Sequence, residues 1–139
     1  MKQARVEKTR PLTLSVLLLL VTPVLGIAIR FAHMGLPWSF RKYGGSVLWA
    51  MMIYWLVSTL LPRVRLIPTA LLAEAVAVAV EFLKRLHTPA LEHFRGTLAG
   101  VLLLGREFSN QDIVAYSIAI TCAATVDAKL RGRLASPTS

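Results

Sequence analysis

The sequence predicts an all-α, polytopic membrane protein with about four transmembrane helices and one re-entrant or interfacial helical segment. Three observations predict it. Apolar residues make up 55% of the 139-residue chain and charged residues only 17%, well away from the balance of ordinary soluble domains. The apolar residues are gathered into runs long enough to cross about 30 Å of hydrocarbon. The breaks between runs carry Gly, Pro and most of the Lys and Arg residues, as interfacial flanks do.

Residues 1–10 read as a basic N-terminal tail, with Lys2, Arg5, Lys8 and Arg10 against Glu7. Residues 11–130 read as a single transmembrane helical domain, and 131–139 as a polar C-terminal tail. The first span, 11–29, is uncharged. Its length, with no small-x-small cleavage site after it, favours a retained helix over a signal peptide. Pro23 and Gly26 predict a kink. Gly35-Leu36-Pro37 breaks the connector, where Trp38 and Phe40 beside Arg41 and Lys42 form an interfacial belt. The second span begins near Tyr43-Gly44-Gly45, whose small residues permit close helix approach. Trp49, Met51, Met52, Tyr54 and Trp55 are expected to face lipid.

The third span, 67–83, carries Glu74 and Glu81. Thr88-Pro89 is a helix start, with Thr as N-cap and Pro at the first position. The stretch after it, divided by Gly96, Gly100 and Gly105, has too short an apolar part to span. Ser109 to Asp112 opens the last span, which reaches Leu130 only if its polar end is counted.

Four spans place both termini on one side. That side carries nine Lys and Arg residues against seven on the other, which orients the termini to the cytoplasm. The formal charge of +9 would indicate nucleic acid on a soluble domain. Here the basic residues flank apolar runs, so membrane lipids are the expected partners and nucleic acid is not. Cys122, the single cysteine, cannot form an intrachain disulfide and is expected to be a small buried side chain.

A carboxylate inside a membrane helix costs a few kcal/mol on insertion scales, roughly 2.5–3.5, unless it meets a partner or a wet cavity. Glu74 and Glu81 are nearly two turns apart, among Ala73, Ala75, Ala77 and Ala79, so their shared face is expected to look inward. Two readings of Glu81 stand. In one it pairs within its helix with Lys84 or Arg85. In the other Arg95 returns from the re-entrant segment to bridge Glu81 and Asp112 with its fork of donors. Asp112 also reads as a helix-capping acid after Ser109. Glu74, with no basic neighbour on its helix, is a candidate proton-coupling residue, or a hydrogen-bond partner for a Ser or Thr of another span. His87 and His93 are not spaced as ligands, so no metal is expected. No phosphate loop, nucleophile elbow or Cys pair is present, and no cofactor is expected.

The segments RKYGGSVLWAMMIYWLV and VEFLKRLHTPALEHFRGTLAGVLLLGREFSNQDIVAY resemble the bacterial membrane proteins of domain-of-unknown-function family 2809, over roughly 30–127. Lys42-Tyr43-Gly44, Glu81, Pro89, Arg95, Phe108, Asp112 and Tyr116 carry the resemblance. The order of a Glu, a later Arg and an Asp opening the last helix is more loosely similar to the VanZ-like proteins, some of which are associated with teicoplanin resistance. The chain departs from the expected pattern at Lys84, where a Gln is usual, and at Ala119, where a Gly is. The resemblance implies the bacterial inner membrane and no assigned activity.

The candidate binding residues are therefore Glu81, Arg95, Asp112, Tyr43 and His87, with Glu74 for proton coupling. The expected function is a cell-envelope accessory protein that binds a lipid or a partner, another membrane protein or a second copy, with a link to envelope-drug resistance. The alternative is a small proton-coupled transporter using Glu74 and Glu81. A lipid-modifying enzyme with Glu81 or His87 as acid/base ranks last, because no nucleophile-base-orienter set is visible.

Overall fold

The computed structural model describes residues 9–31, 35–104 and 108–135. Most of the expected 1–10 tail, the end of the 131–139 tail, Gly105 and Arg106 lie outside these described residues. The described residues form α1 (Leu12–Phe31), α2 (Trp38–Leu60), α3 (Leu66–Leu83), α4 (Pro89–Arg95), α5 (Leu98–Leu103) and α6 (Asn110–Ala135), with no strand. Four of them, α1, α2, α3 and α6, are long and apolar enough to cross a membrane.

Helix α2 is the centre: α1, α3 and α6 all pack on it, and α3 and α6 also meet each other. It starts at Trp38, earlier than the Tyr43 start the sequence predicts. Gly35 takes a φ of 63° in the turn, a conformation glycine adopts freely, and Pro37 then stands at the N-cap. Gly44 lies inside the helix. A Cβ there would lie 3.5 Å from the Ile29 methyl, and one on Gly26 3.6 Å from Leu48, so both glycines sit where α1 and α2 meet, at ordinary contact distance. Helix α1 continues without a break past Pro23.

The central position of α2 overturns the expectation that its aromatics face lipid. Tyr54 and Trp55 are buried, and Trp49, Met51 and Met52 pack partly buried on the core. The seam itself is lined by Ala50, Ala73, Ala77, Ala119 and Ala123, all fully buried. Small side chains let helices approach in lipid, where association relies on van der Waals contact and hydrogen bonds. Cys122, expected to be buried, is exposed. Ala119, Ile120 and Ala123 occupy the inward face of α6, so Cys122 falls outside the seam.

At the end where α1 begins and α6 finishes, a polar cluster pins three segments together. Asp127, fully buried, sits 3.2 Å from Arg10 Nη1 and 3.2 Å from Arg131 Nε. It also accepts the Tyr54 hydroxyl at 2.7 Å. Arg10 Nη2 donates to Ser58 Oγ at 2.7 Å, and its guanidinium lies 4.9 Å from the Trp55 ring centroid. Burial outweighs the pull of Asp127 and lowers the Arg10 pKa below its usual value. Arg10, expected in the tail, is thus part of the bundle, and α6 runs past Leu130 to Ala135.

The segment expected to be re-entrant is an elbow of two short helices. Thr88 caps α4 by accepting the Leu91 N–H at 3.4 Å, with Pro89 at its first position, as predicted. Thr97 caps α5 by accepting the Gly100 N–H at 3.0 Å. A Cβ on Gly100 would meet the Phe94 carbonyl oxygen at 1.9 Å, so α5 folds onto α4 only because that position is glycine.

Two outcomes follow. Gly100→Ala forces α4 and α5 apart and lowers stability by about 1–3 kcal/mol, the usual range for overpacking, read by denaturant unfolding in detergent. Asp127→Asn leaves two guanidinium groups without their counter-charge and costs about 3–5 kcal/mol in the same assay, as broken buried pairs do.

Candidate functional site

The opposite end of the bundle gathers the carboxyl end of α3, the amino ends of α2 and α6, and the α4–α5 elbow. Glu81, the eighth residue beyond Ala73 on the same buried face of α3, is fully buried there. Its Oε2 is 2.6 Å from Lys84 Nζ and accepts the Tyr116 hydroxyl at 2.8 Å. Its Oε1 accepts the Ser109 N–H at 2.8 Å. Of the two readings of Glu81, the structure makes the intrahelical pair. Lys84 is within reach on the same helix, and its side chain is only 7% exposed. Arg85 instead stacks on Phe108, 4.0 Å from the ring centroid.

The bridge from Arg95 to Glu81 and Asp112 does not form. Arg95 is buried, as expected of a working guanidinium, but it serves another end. Its Nη1 donates to the Leu86 carbonyl at 2.9 Å and its Nη2 to the Leu83 carbonyl at 2.8 Å. The Leu83 carbonyl also accepts the Leu86 N–H at 3.1 Å, and a cation returning from α4 adds to this closing turn and complements the dipole of α3. Nη1 also pairs with Glu92 at 2.7 Å.

His87 lies at the rim, its Nδ1 2.8 Å from Glu92 Oε1 and both side chains more than half exposed. The His87 hydrogen bond, with Arg95 behind it, lowers the Glu92 carboxyl below the usual range. Asp112 accepts the Ser46 hydroxyl at 3.0 Å. The Ser109 N–H that a capping partner of Ser109 would claim is taken by Glu81, so the capping carboxylate of α6 comes from a different helix. Tyr43 donates its hydroxyl to Gln111 Oε1, tying α2 to the start of α6. Glu74 is half-buried at the edge of the α3–α6 seam and accepts the Ser117 hydroxyl at 2.6 Å, the Ser partner expected from another span.

These contacts surround a cavity of about 670 Å³, within the range typical of ligand pockets, roughly 300–1,000 Å³. Its described lining includes the basic side chains of Arg30, Arg41, Lys42 and Lys84, with Asp112 as the acid among them. It also includes the apolar Val101, Leu102, Leu103 and Leu104 of the elbow together with Trp38 and Trp49. Lys42 Nζ is held 5.2 Å from the Trp38 ring centroid and 5.7 Å from that of Tyr43. Among the predicted site residues only Asp112 lines the cavity. Glu81, Arg95 and Tyr43 shape it from behind.

Sequence reasoning singled out neither Arg30 nor Arg41 as a ligand-facing residue. The available signal was their position, flanking the Gly35-Leu36-Pro37 break from two sides and so returned to one place by the turn. It also passed over Asp127 at the other end, for which the i, i+4 spacing to Arg131 was the signal.

The family model described as Protein of unknown function (DUF2809) matches residues 35–120, more than half of the chain. The chain belongs to the DUF2809 family. The match takes in α2, α3, the elbow and the first part of α6, and with them every described cavity residue except Arg30 and Phe31. Arg10 and Asp127 of this DUF2809 protein lie outside it. No solved structure matches the chain.

Removing the Glu81 carboxylate strands the Lys84 ammonium, the Tyr116 hydroxyl and the Ser109 N–H together. Glu81→Ala is therefore expected to cost about 3–5 kcal/mol in detergent unfolding. Adding Lys84→Met recovers part of that loss, because the stranded charge goes with it. Full additivity of the two changes would show that the pair is not coupled.

Proposed function

We propose that this DUF2809 protein is a non-enzymatic accessory protein of the bacterial inner membrane that holds an amphiphile with an anionic headgroup in the cavity beneath the α4–α5 elbow. The observation that carries the reading is that one cavity is lined both by cationic side chains and by large apolar ones. A lipid offers both chemistries at once, a charged head and a hydrocarbon body. Arginine suits the first role through its planar fork of donors, which matches phosphate oxygens. The leucines of α5 suit the second.

With the termini in the cytoplasm, the orientation favoured by the count of basic residues, the cavity opens on the outer half of the membrane. Sequestering an envelope lipid there is also the route by which such a protein would alter tolerance of envelope-directed drugs. Glu81 supports the site as scaffold, since all its contacts are internal. Proton-coupled transport stands as the second reading through Glu74, which accepts the Ser117 hydroxyl at the edge of the seam.

Trp38 and Trp49 line the cavity, so tryptophan fluorescence reports its occupancy. Purified protein titrated with phosphatidic acid, phosphatidylglycerol or phosphatidylcholine is expected to respond saturably to an anionic lipid and not to the zwitterionic one. Arg41→Gln with Lys42→Gln weakens that response by about tenfold or more, the scale of a lost charge-assisted contact. Equal responses to all three lipids would overturn the proposal.

A further inference from the structure

The charge lining the cavity says more than its sign. Lys84 is already matched by Glu81 at 2.6 Å. Arg30, Arg41 and Lys42 have no ion-pair partner among the described residues. Asp112, the acid among the described lining residues, offsets one of these, leaving an excess of two positive charges among them. Arg41 and Lys42 moreover lie near the amino end of α2, a helix with no acid in its first turn and no side-chain cap. That end of a helix carries partial positive charge, so cations there are disfavoured unless an anion joins them. Arg30 adds a third cation from the carboxyl end of α1, across the turn made by Gly35.

A phosphodiester headgroup brings one negative charge and leaves this wall under-neutralised. A terminal phosphate monoester brings about two and presents more oxygens to the two arginine forks. We infer that the cavity selects a phosphate dianion, a terminal monoester on an apolar chain, over the phosphodiester of an ordinary phospholipid, with Arg30, Arg41 and Lys42 as the selecting residues. This rests on the proposed lipid-binding role and narrows it. The dianion touches the three free cations, while Lys84 stays with Glu81. The chain lies along Val101 to Leu104. Asp112, facing the same space, discourages a more highly charged anion.

The test compares phosphatidic acid with phosphatidylglycerol of the same acyl chains at pH 8, where a phosphate monoester carries close to two charges. Binding to the full-length protein in neutral detergent is read by native mass spectrometry, with glycerol 3-phosphate as the soluble monoester. Phosphatidic acid is expected to be held about tenfold or more tightly than phosphatidylglycerol, with the ratio falling towards one in Arg30→Gln and Arg41→Gln. Glycerol 3-phosphate is expected to bind more weakly than the lipid monoester. Equal retention of both lipids above phosphatidylcholine overturns the dianion selectivity and leaves the lipid-binding role standing. Binding of glycerol 3-phosphate without either lipid upholds the dianion chemistry and overturns the lipid as its source. No binding of any of them overturns both.

Discussion

A carboxylate with no exposed surface can exist in a helix bundle only if its oxygens are fully engaged, because an unpaired buried charge costs several kcal/mol, roughly 3–5 when one partner is removed. Glu81 meets that condition from three directions: Lys84 one turn along its own helix, the Tyr116 hydroxyl on α6, and the Ser109 N–H where α6 begins. Those contacts set how far α6 slides along α3. They place Ser109 and Asp112 at the cavity and fix Lys84 against its wall. The register of the two helices and the shape of the site are thus consequences of one acid.

The other end of the bundle repeats the chemistry with different residues. Asp127 is also fully buried, also accepts a tyrosine hydroxyl from a neighbouring helix, and also has a basic partner on its own helix, Arg131. Between the two clusters the seam is alanine, which permits close approach but specifies little by itself. Directional polar contacts at both ends define which alanine meets which, since in a low-dielectric interior a satisfied network is favourable and a slipped one is not. The asymmetry lies in what remains. Arg10 and Arg131 both pair with Asp127, whereas Arg30, Arg41 and Lys42 at the cavity have no ion-pair partner among the described residues.

Arg95 shows how a charge can be buried without taking part in a site. It spans from α4 to the carbonyls of Leu83 and, beyond the end of α3, Leu86, and so turns the elbow back over the bundle. Without that return Val101 to Leu104 would not form the apolar wall. Gly100 makes the same return sterically possible. The elbow is therefore built from two local devices, a tertiary cap and a missing side chain, and the cavity is the space it encloses.

Composition and the length of apolar runs by themselves determined the helical class, the four spans, the break at Gly35 to Pro37, the start at Thr88-Pro89 and the need for Glu81 to have company. These are properties of short stretches, additive along the chain, and hydrocarbon thickness and backbone chemistry act on them directly. Tertiary structure alone decided who the company is. Lys84, Arg85 and Arg95 are chemically near-equivalent donors for one acid, and only the packing of α4, α6 and Phe108 assigns each to a different acceptor. The same holds for Arg10 with Asp127, which stand at opposite ends of the sequence, and for Tyr54 and Trp55, whose burial follows from α2 having neighbours on several sides. Partner choice depends on distance through space, and distance through space is what a linear pattern of residues does not contain.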